Sequence, residues 1–167
     1  MPTANPTPAL EPTPGRTPEQ ALRALGLTLP EPAAPLAAYV PVVVAGGFAY
    51  VSGQGPVAGG AAVAIGHLGA EVTPEQGYQA ARVAGINVLA QLKAALGSLD
   101  RVARVVKLTV MVASTPDFTG HPGVANGASE LLAQVFGEAG RHARSAFGVA
   151  ALPLGWPVEV DAIVQLA

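Results

Sequence analysis

Residues 73–112 read TPEQGYQAARVAGINVLAQLKAALGSLDRVARVVKLTVMV, and the stretch changes its period halfway. From Tyr78 the apolar residues return at Ala81, Ala84, Val88, Leu92 and Ala95, the spacing that gathers one stripe on an α-helix. Thr73-Pro74-Glu75-Gln76 opens it as a capping box with proline at the first helical position, so that side chains satisfy N–H groups with no partner inside the helix. Gly97 closes it, which places the longest helix from Thr73 to about Leu96. Val102–Val112 then takes up the two-residue period of a strand. Its alternation puts Val102, Arg104, Val106, Leu108, Val110 and Val112 on one face, with Lys107 and Thr109 on the other.

The flanks repeat the change of period. Upstream, Tyr39–Val44 and Phe48–Ser52 are rich in β-branched and aromatic residues and meet at a hairpin turn, Ala45-Gly46-Gly47. Gly53–Gly60 reads as a loop and Ala61–Ile65 as a short strand. Downstream, Ser114–Gly123 is a Pro/Gly loop. A helix follows from about Val124 to Glu138, with Leu131, Leu132, Val135 and Phe136 inward and Gly140 closing it. Arg144–Ala150 and Val158–Leu166 are the last strands, joined by the turn Leu152–Pro157. The order β-β-(β)-α-β-α-β-β predicts an α+β fold, a mixed sheet with two main helices on one face.

The first 35 residues hold nine of the 16 prolines. Met1–Arg16 reads as a flexible or polyproline-like tail. Thr17-Pro18-Glu19-Gln20 is another capping box, opening a short helix over about 18–26 whose Leu22 and Leu25, with Leu27, form one apolar face. The expected division is therefore an N-terminal extension, 1–35, and a folded domain, 36–167.

Composition excludes several classes. The chain has 167 residues, 50% of them hydrophobic, with a mean hydropathy of +0.42, too apolar for a disordered protein. A net charge of −2 gives no footprint for a phosphate backbone. Absence of cysteine removes disulfides, thiolate metal sites and a cysteine nucleophile. The three histidines, His67, His121 and His142, have no metal-ligand spacing and read as surface or turn residues, so no metal is expected. No apolar run is long enough to span a bilayer and no leader pattern opens the chain, which makes cytoplasmic residence the default expectation. Only 12% of residues are charged, about half the usual share. A sheet covered on one face with so few charges to solvate the other predicts self-association.

A few residues stand out as chemistry. Gly53-Gln54-Gly55 with Gly59 and Gly60 does not open a helix, so a dinucleotide fingerprint is set aside for a turn or a pocket-lining loop. Ser52 lacks the flanking glycines of a nucleophile elbow and fits a pocket hydrogen bond. Arg144 opens an otherwise apolar strand. It is either a strand-end arginine reaching solvent or a guanidinium fork that holds a carboxylate. Glu159 and Asp161 share one face of the final strand, as a solvated face or a polar pocket. Trp156, in a Pro/Gly turn, fits a packing or interface cap. Asn126 is either a helix-entry cap or a ligand contact.

Tyr39-Val40, Val51-Ser52-Gly53-Gln54, Arg144-Ser145, Leu152-Pro153 and Val158-Glu159-Val160-Asp161-Ala162-Ile163 together resemble the RidA family of YjgF-like reactive-intermediate deaminases, also called L-PSP endoribonucleases. The resemblance runs from about Leu36 to Val164. The helix after Thr17 and the insertion from Pro116 resemble a longer bacterial subgroup. The resemblance implies a chorismate-mutase-like fold and a homotrimer with clefts between subunits. It also implies hydrolysis of enamines and imines such as 2-aminoacrylate to 2-keto acids and ammonia, with no cofactor. On that pattern Arg144 grips the substrate carboxylate and Glu159 positions water or moves a proton. Tyr39, Ser52, Gly53, Asn126 and the backbone of Ala146 line the pocket, alanine standing where the family commonly has cysteine. Two alternatives stay open: a non-catalytic ligand-binding or regulatory trimer, and an endoribonuclease, which the acidic balance disfavours. Were the last two strands a simple hairpin, Arg144 would face Gln165 and Glu159 would face Ala150, about 20 Å apart along the sheet. Each site is therefore expected to take Arg144 from one chain and Glu159 from its neighbour.

Overall fold

Both capping boxes form in the computed structural model, which describes residues 15–167; most of the tail expected over Met1–Arg16 lies outside the described residues. In chain order the elements are α1 (Pro18–Ala24), β1 (Val42–Ala45), β2 (Phe48–Gln54), β3 (Val57–Ala58), β4 (Ala61–Ala62), α2 (Pro74–Leu96), β5 (Val102–Ala113), α3 (His121–Phe136), β6 (Ala143–Val149) and β7 (Val158–Leu166). At the head of α2, Gln76 N–H donates to Thr73 Oγ1 at 3.2 Å and Thr73 N–H donates to Gln76 Oε1 at 2.9 Å. Gly97 ends the helix with φ of 80°, a conformation that costs glycine little.

Five strands make one mixed sheet in the order β1-β2-β7-β5-β6, with β5 and β6 parallel and the other neighbours antiparallel. β3 and β4 form a small separate hairpin. The α+β fold with two main helices on one face is as the sequence predicts. Val88, Leu89 and Leu92 of α2 and Leu131 and Leu132 of α3 are buried together with Leu108, Val110, Val160 and Val164 of the sheet.

Several expectations need correction. The loop expected over Gly53–Gly60 holds the end of β2 and all of β3, and the strand expected over Ala61–Ile65 stops at Ala62. The first strand begins at Val42, not Tyr39; Pro41, just before it, has no N–H to offer a ladder. The second main helix begins at His121, three residues before Val124, with Pro122 in its first turn, where the missing N–H does no harm. Strict alternation fails at the start of β5. Its pairing with β7 shifts between Val102 and Arg104 and again between Val105 and Lys107. Each shift inserts one residue, and the two cancel in phase. Val102 and Leu108 therefore face the core as read, but between them the buried residue is Val105, not Arg104 and Val106. Finally, β6 and β7 are not a hairpin. The chain leaves β6 at one edge, crosses β5 and enters as β7 between β2 and β5.

α1 is docked rather than loose. Ala21 and Leu22 are buried, Leu25, Leu27 and Leu29 pack on the core, and Leu99 N–H donates to Glu19 Oε1 at 3.3 Å. Leu22→Ala should cost about 2–4 kcal/mol, measurable as a lower urea midpoint with unchanged slope. A change below about 0.5 kcal/mol would mean that α1 is dispensable.

Candidate functional site

The predicted site residues separate into two groups. The first gathers at the far end of β2. Val51 pairs with Ala162 and Gln54 with Val160, three steps against two, so Ser52 and Gly53 form a bulge. Gly53 leaves room for the Glu159 carboxyl, which occupies the place a Cβ there would take; the carboxyl rests on the glycine backbone. Gly55 accommodates the Trp156 ring in the same way. A cavity of about 630 Å³ opens here, lined by Tyr39, Ser52, Gly53 and Glu159 with Leu36 and Trp156 among its apolar walls. Trp156, buried, is thus a packing residue.

Side chains from α2 that the sequence reading did not single out hold this loop. Gln91 Nε2 donates to Ala33 O at 2.8 Å and to Gln54 Oε1 at 3.3 Å. Gln54 Nε2 in turn donates to Ser52 O at 3.1 Å. Asn87 Nδ2 donates to Gly55 O at 2.8 Å and Val57 O at 3.0 Å. A signal existed: Gln91 lies beside Leu92 in the apolar middle of the longest helix, where an amide needs a partner.

Burial raises the Glu159 pKa above the ordinary 4.5, and the negative charge of Asp161 on the same face raises it further. A raised carboxyl binds its proton more readily folded than unfolded. It therefore costs stability as pH rises above 4.5, fully so once the folded group has ionised. Glu159→Gln should raise the melting temperature at pH 7, with the advantage fading below about pH 4. Equal melting temperatures of the two proteins at pH 7 would show the carboxylate to be well solvated.

The second group surrounds Arg144. Arg144 Nη1 donates to Asn126 Oδ1 and to Ser129 Oγ, each at 2.9 Å, and Nη2 donates to the Pro122 carbonyl at 3.3 Å. Three of five donors are used, leaving Nε–H and one on Nη2. All three acceptors are neutral. Among the described residues the only ion pairs are His67–Glu71 and Arg141–Glu138, so the Arg144 charge has no carboxylate partner. Asn126, inside α3, is a contact of Arg144 and not a helix cap. Ala146 lies two residues along, on the same face of β6. A hollow of about 440 Å³ beside Arg144 is lined by Ser129, Glu130, Ala133, Gly140, Arg141 and His142.

Within one chain the groups do not meet. Arg144 lies opposite Leu108, and Glu159 opposite Met111. That is three residues, about 10 Å, along the sheet and two strand spacings, about 9.5 Å, across it. They also take opposite faces. Arg144 shares a row with buried Leu108 and Ala162 and reaches α3, whereas Glu159 shares one with Met111 and Phe147 on the face without helices. The hairpin separation of about 20 Å is thus replaced by a shorter offset and a sheet between them.

The histidines are less bland than expected. His67 Nε2 is 3.0 Å from Ala150 O, His121 Nε2 is 3.1 Å from Ser114 Oγ, and His142 is half-buried beside Arg144. Among the described residues no three His, Asp or Glu side chains converge as metal ligands would, and no helix is long and apolar enough to cross a membrane.

Residues 19–164 match the family described as "YjgF/chorismate_mutase-like, putative endoribonuclease". Protein TCP17 of Trypanosoma cruzi is 53% identical over 146 residues, covering 87% of this chain and 91% of that protein. A crystal structure described as a putative endoribonuclease from Shewanella oneidensis is 40% identical with a TM-score of 0.88, covering 90% of this chain and 100% of that one. Escherichia coli TdcF, crystallised with bound serine, is more distant: 26% identity and a TM-score of 0.57, over 82% of this chain and 94% of TdcF.

Proposed function

The chain belongs to the YjgF/chorismate-mutase-like family, and on that footing we propose that it is an enamine/imine deaminase. It converts 2-aminoacrylate-like intermediates to 2-keto acids and ammonia in clefts between the subunits of a homotrimer. The observation that carries this is Arg144: a cation fixed by three neutral acceptors, with two donors unspent and no carboxylate of its own. Such an arginine suits a small anion held by two hydrogen bonds. Serine in TdcF is a three-carbon amino acid, and it shares its size and its carboxylate with the substrate proposed here.

The chemistry asks little of the protein. A proton adds to the terminal carbon of the enamine, giving an iminium conjugated to the carboxylate. Water then adds to the iminium carbon, and the carbinolamine loses ammonia to leave the keto acid. Arg144 holds the carboxylate. Glu159, with its pKa raised by burial and its seat over Gly53, supplies or receives a proton and orients water. Tyr39 and Ser52 share its cavity, while Asn126 and Ala146 accompany Arg144. Because one sheet separates the two groups, a complete site takes one group from each of two adjacent chains, which the bare sheet face and the low charge content also favour.

The test is release of ammonia and keto acid from freshly generated 2-aminoacrylate, with light scattering alongside. Turnover above the spontaneous rate and a mass of about three times 16.7 kDa are expected. A stable monomer at micromolar concentration, or hydrolysis no faster than in buffer, would sink the proposal.

A further inference from the structure

We propose that Ser129 and His142 are positioning residues for Arg144, linked to it by a chain of hydrogen bonds of fixed polarity that aims the guanidinium at the substrate carboxylate. This inference rests on the deaminase reading of Arg144. The polarity follows donor by donor. His142 Nδ1 lies 2.7 Å from the Gly140 carbonyl oxygen, which can only accept, so Nδ1 carries the proton. In the neutral ring Nε2 then holds a lone pair. Ser129 Oγ, 3.0 Å away, donates its single proton to it. That leaves the serine oxygen as an acceptor, and Arg144 Nη1 donates to it at 2.9 Å. Every donor and acceptor is thereby assigned from one backbone carbonyl to the guanidinium. Asn126 Oδ1 takes a second Nη1 bond and Pro122 O one from Nη2, so the free donors point away from these partners.

The surroundings keep the ring neutral. Burial lowers the His142 pKa, and the Arg144 charge lowers it further against the pull of the Gly140 carbonyl. Charged groups near the ring are Arg144 in β6, two residues on, Arg141 just before it and Glu130 from α3, which line the same hollow, with Glu138 beside Arg141 and Arg104 of β5 donating to the Arg141 carbonyl at 3.4 Å. Glu138 is paired to Arg141 at 3.0 Å and Glu130 accepts from the Tyr78 hydroxyl at 2.7 Å; neither hydrogen-bonds to His142. A proton on Nε2 turns the ring from acceptor to donor and sets a second cation one hydroxyl away from the guanidinium. The grip on the carboxylate weakens as pH falls.

The experiment is steady-state kinetics of the full chain on 2-aminoacrylate from pH 5 to 8, with Arg144→Ala as reference. Ser129→Ala and His142→Phe should each raise KM about tenfold, the value of one charged hydrogen bond. Their kcat should stay within about twofold, because the carboxylate is held alike in ground and transition states. His142→Gln returns an uncharged acceptor for the serine hydroxyl. It should recover most of the loss and flatten the acid-side rise of KM expected of the unmodified protein. If Arg144→Ala raises KM while Ser129→Ala and His142→Phe do not, the positioning chain is overturned and the deaminase reading stands. The chain is also overturned if His142→Gln is as impaired as His142→Phe with the same pH profile. If Arg144→Ala itself leaves KM unchanged, the role of Arg144 fails and the positioning chain falls with it.

Discussion

Arg144→Lys should lower kcat/KM by about 10²-fold although the charge is kept, because an ammonium cannot hold Asn126, Ser129 and Pro122 while offering a flat pair of donors to a carboxylate. Arg144→Ala should go further and Glu159→Ala should be comparably severe, both with the proposed trimer still formed. The stronger statement concerns their mixture. If every site joins Arg144 of one subunit to Glu159 of the next in a closed ring of three, unfolding and refolding the two impaired variants together at equal ratio should restore about a quarter of the intact sites, read at substrate well below the KM of Arg144→Ala. Each variant refolded alone should restore none. Control mixtures that refold well beside a mixture that regains nothing would falsify the shared site and return both residues to one chain.

Gly127→Ala should be among the most damaging single methyls in the fold. A Cβ at Gly127 would fall on the Tyr78 carbonyl and crowd Arg82 N, backbone of α2 that no rotamer change can move. The helices must part, at a cost of about 3 kcal/mol or more, roughly 6–12 °C of melting temperature for a domain of this size. Gly123, in the same helix, has open space at its Cβ position, and Gly123→Ala should gain a few tenths of a kcal/mol from helix propensity. Equal melting temperatures for the two alanine variants would show that the crossing has slack. Asn126 and Ser129 flank Gly127, so any surviving fold should also lose its hold on Arg144.

What could be read from the chain was local. Thr73 with Gln76 and Thr17 with Gln20 declare their helices because a capping box is complete within four residues. Glu159 and Asp161 could be placed on one face because a strand alternates whatever it pairs with. Arg144 stood out because a lone cation in an apolar strand requires explanation. Long-range pairing was not legible. The β5 bulges that seat Val105 depend on how β7 runs beside it, and the place of β7 between β2 and β5 depends on the whole sheet. Asn126 left two readings open, a helix cap or a ligand contact; the cap is excluded by its place inside α3, and its bond to Arg144, 18 residues away in sequence, was beyond any local pattern. Gln91 and Asn87 support the cavity loop from 30 or more residues away, a distance no local pattern spans.

β7, the last strand in sequence among those described, is the middle of five, laddered to β2 on one side and β5 on the other. During synthesis the sheet therefore waits on its centre. Until residues 158–166 have left the ribosome, β2 and β5 each present an unsatisfied edge, and the apolar floor beneath α2 lacks Val158, Val160, Ala162 and Val164. Two exposed edges on a nascent chain invite pairing with a neighbour. They also delay closure of long-separated contacts, the slow kind. A premature stop inside this strand would remove more than an end: it would leave two half-sheets with nothing to join them.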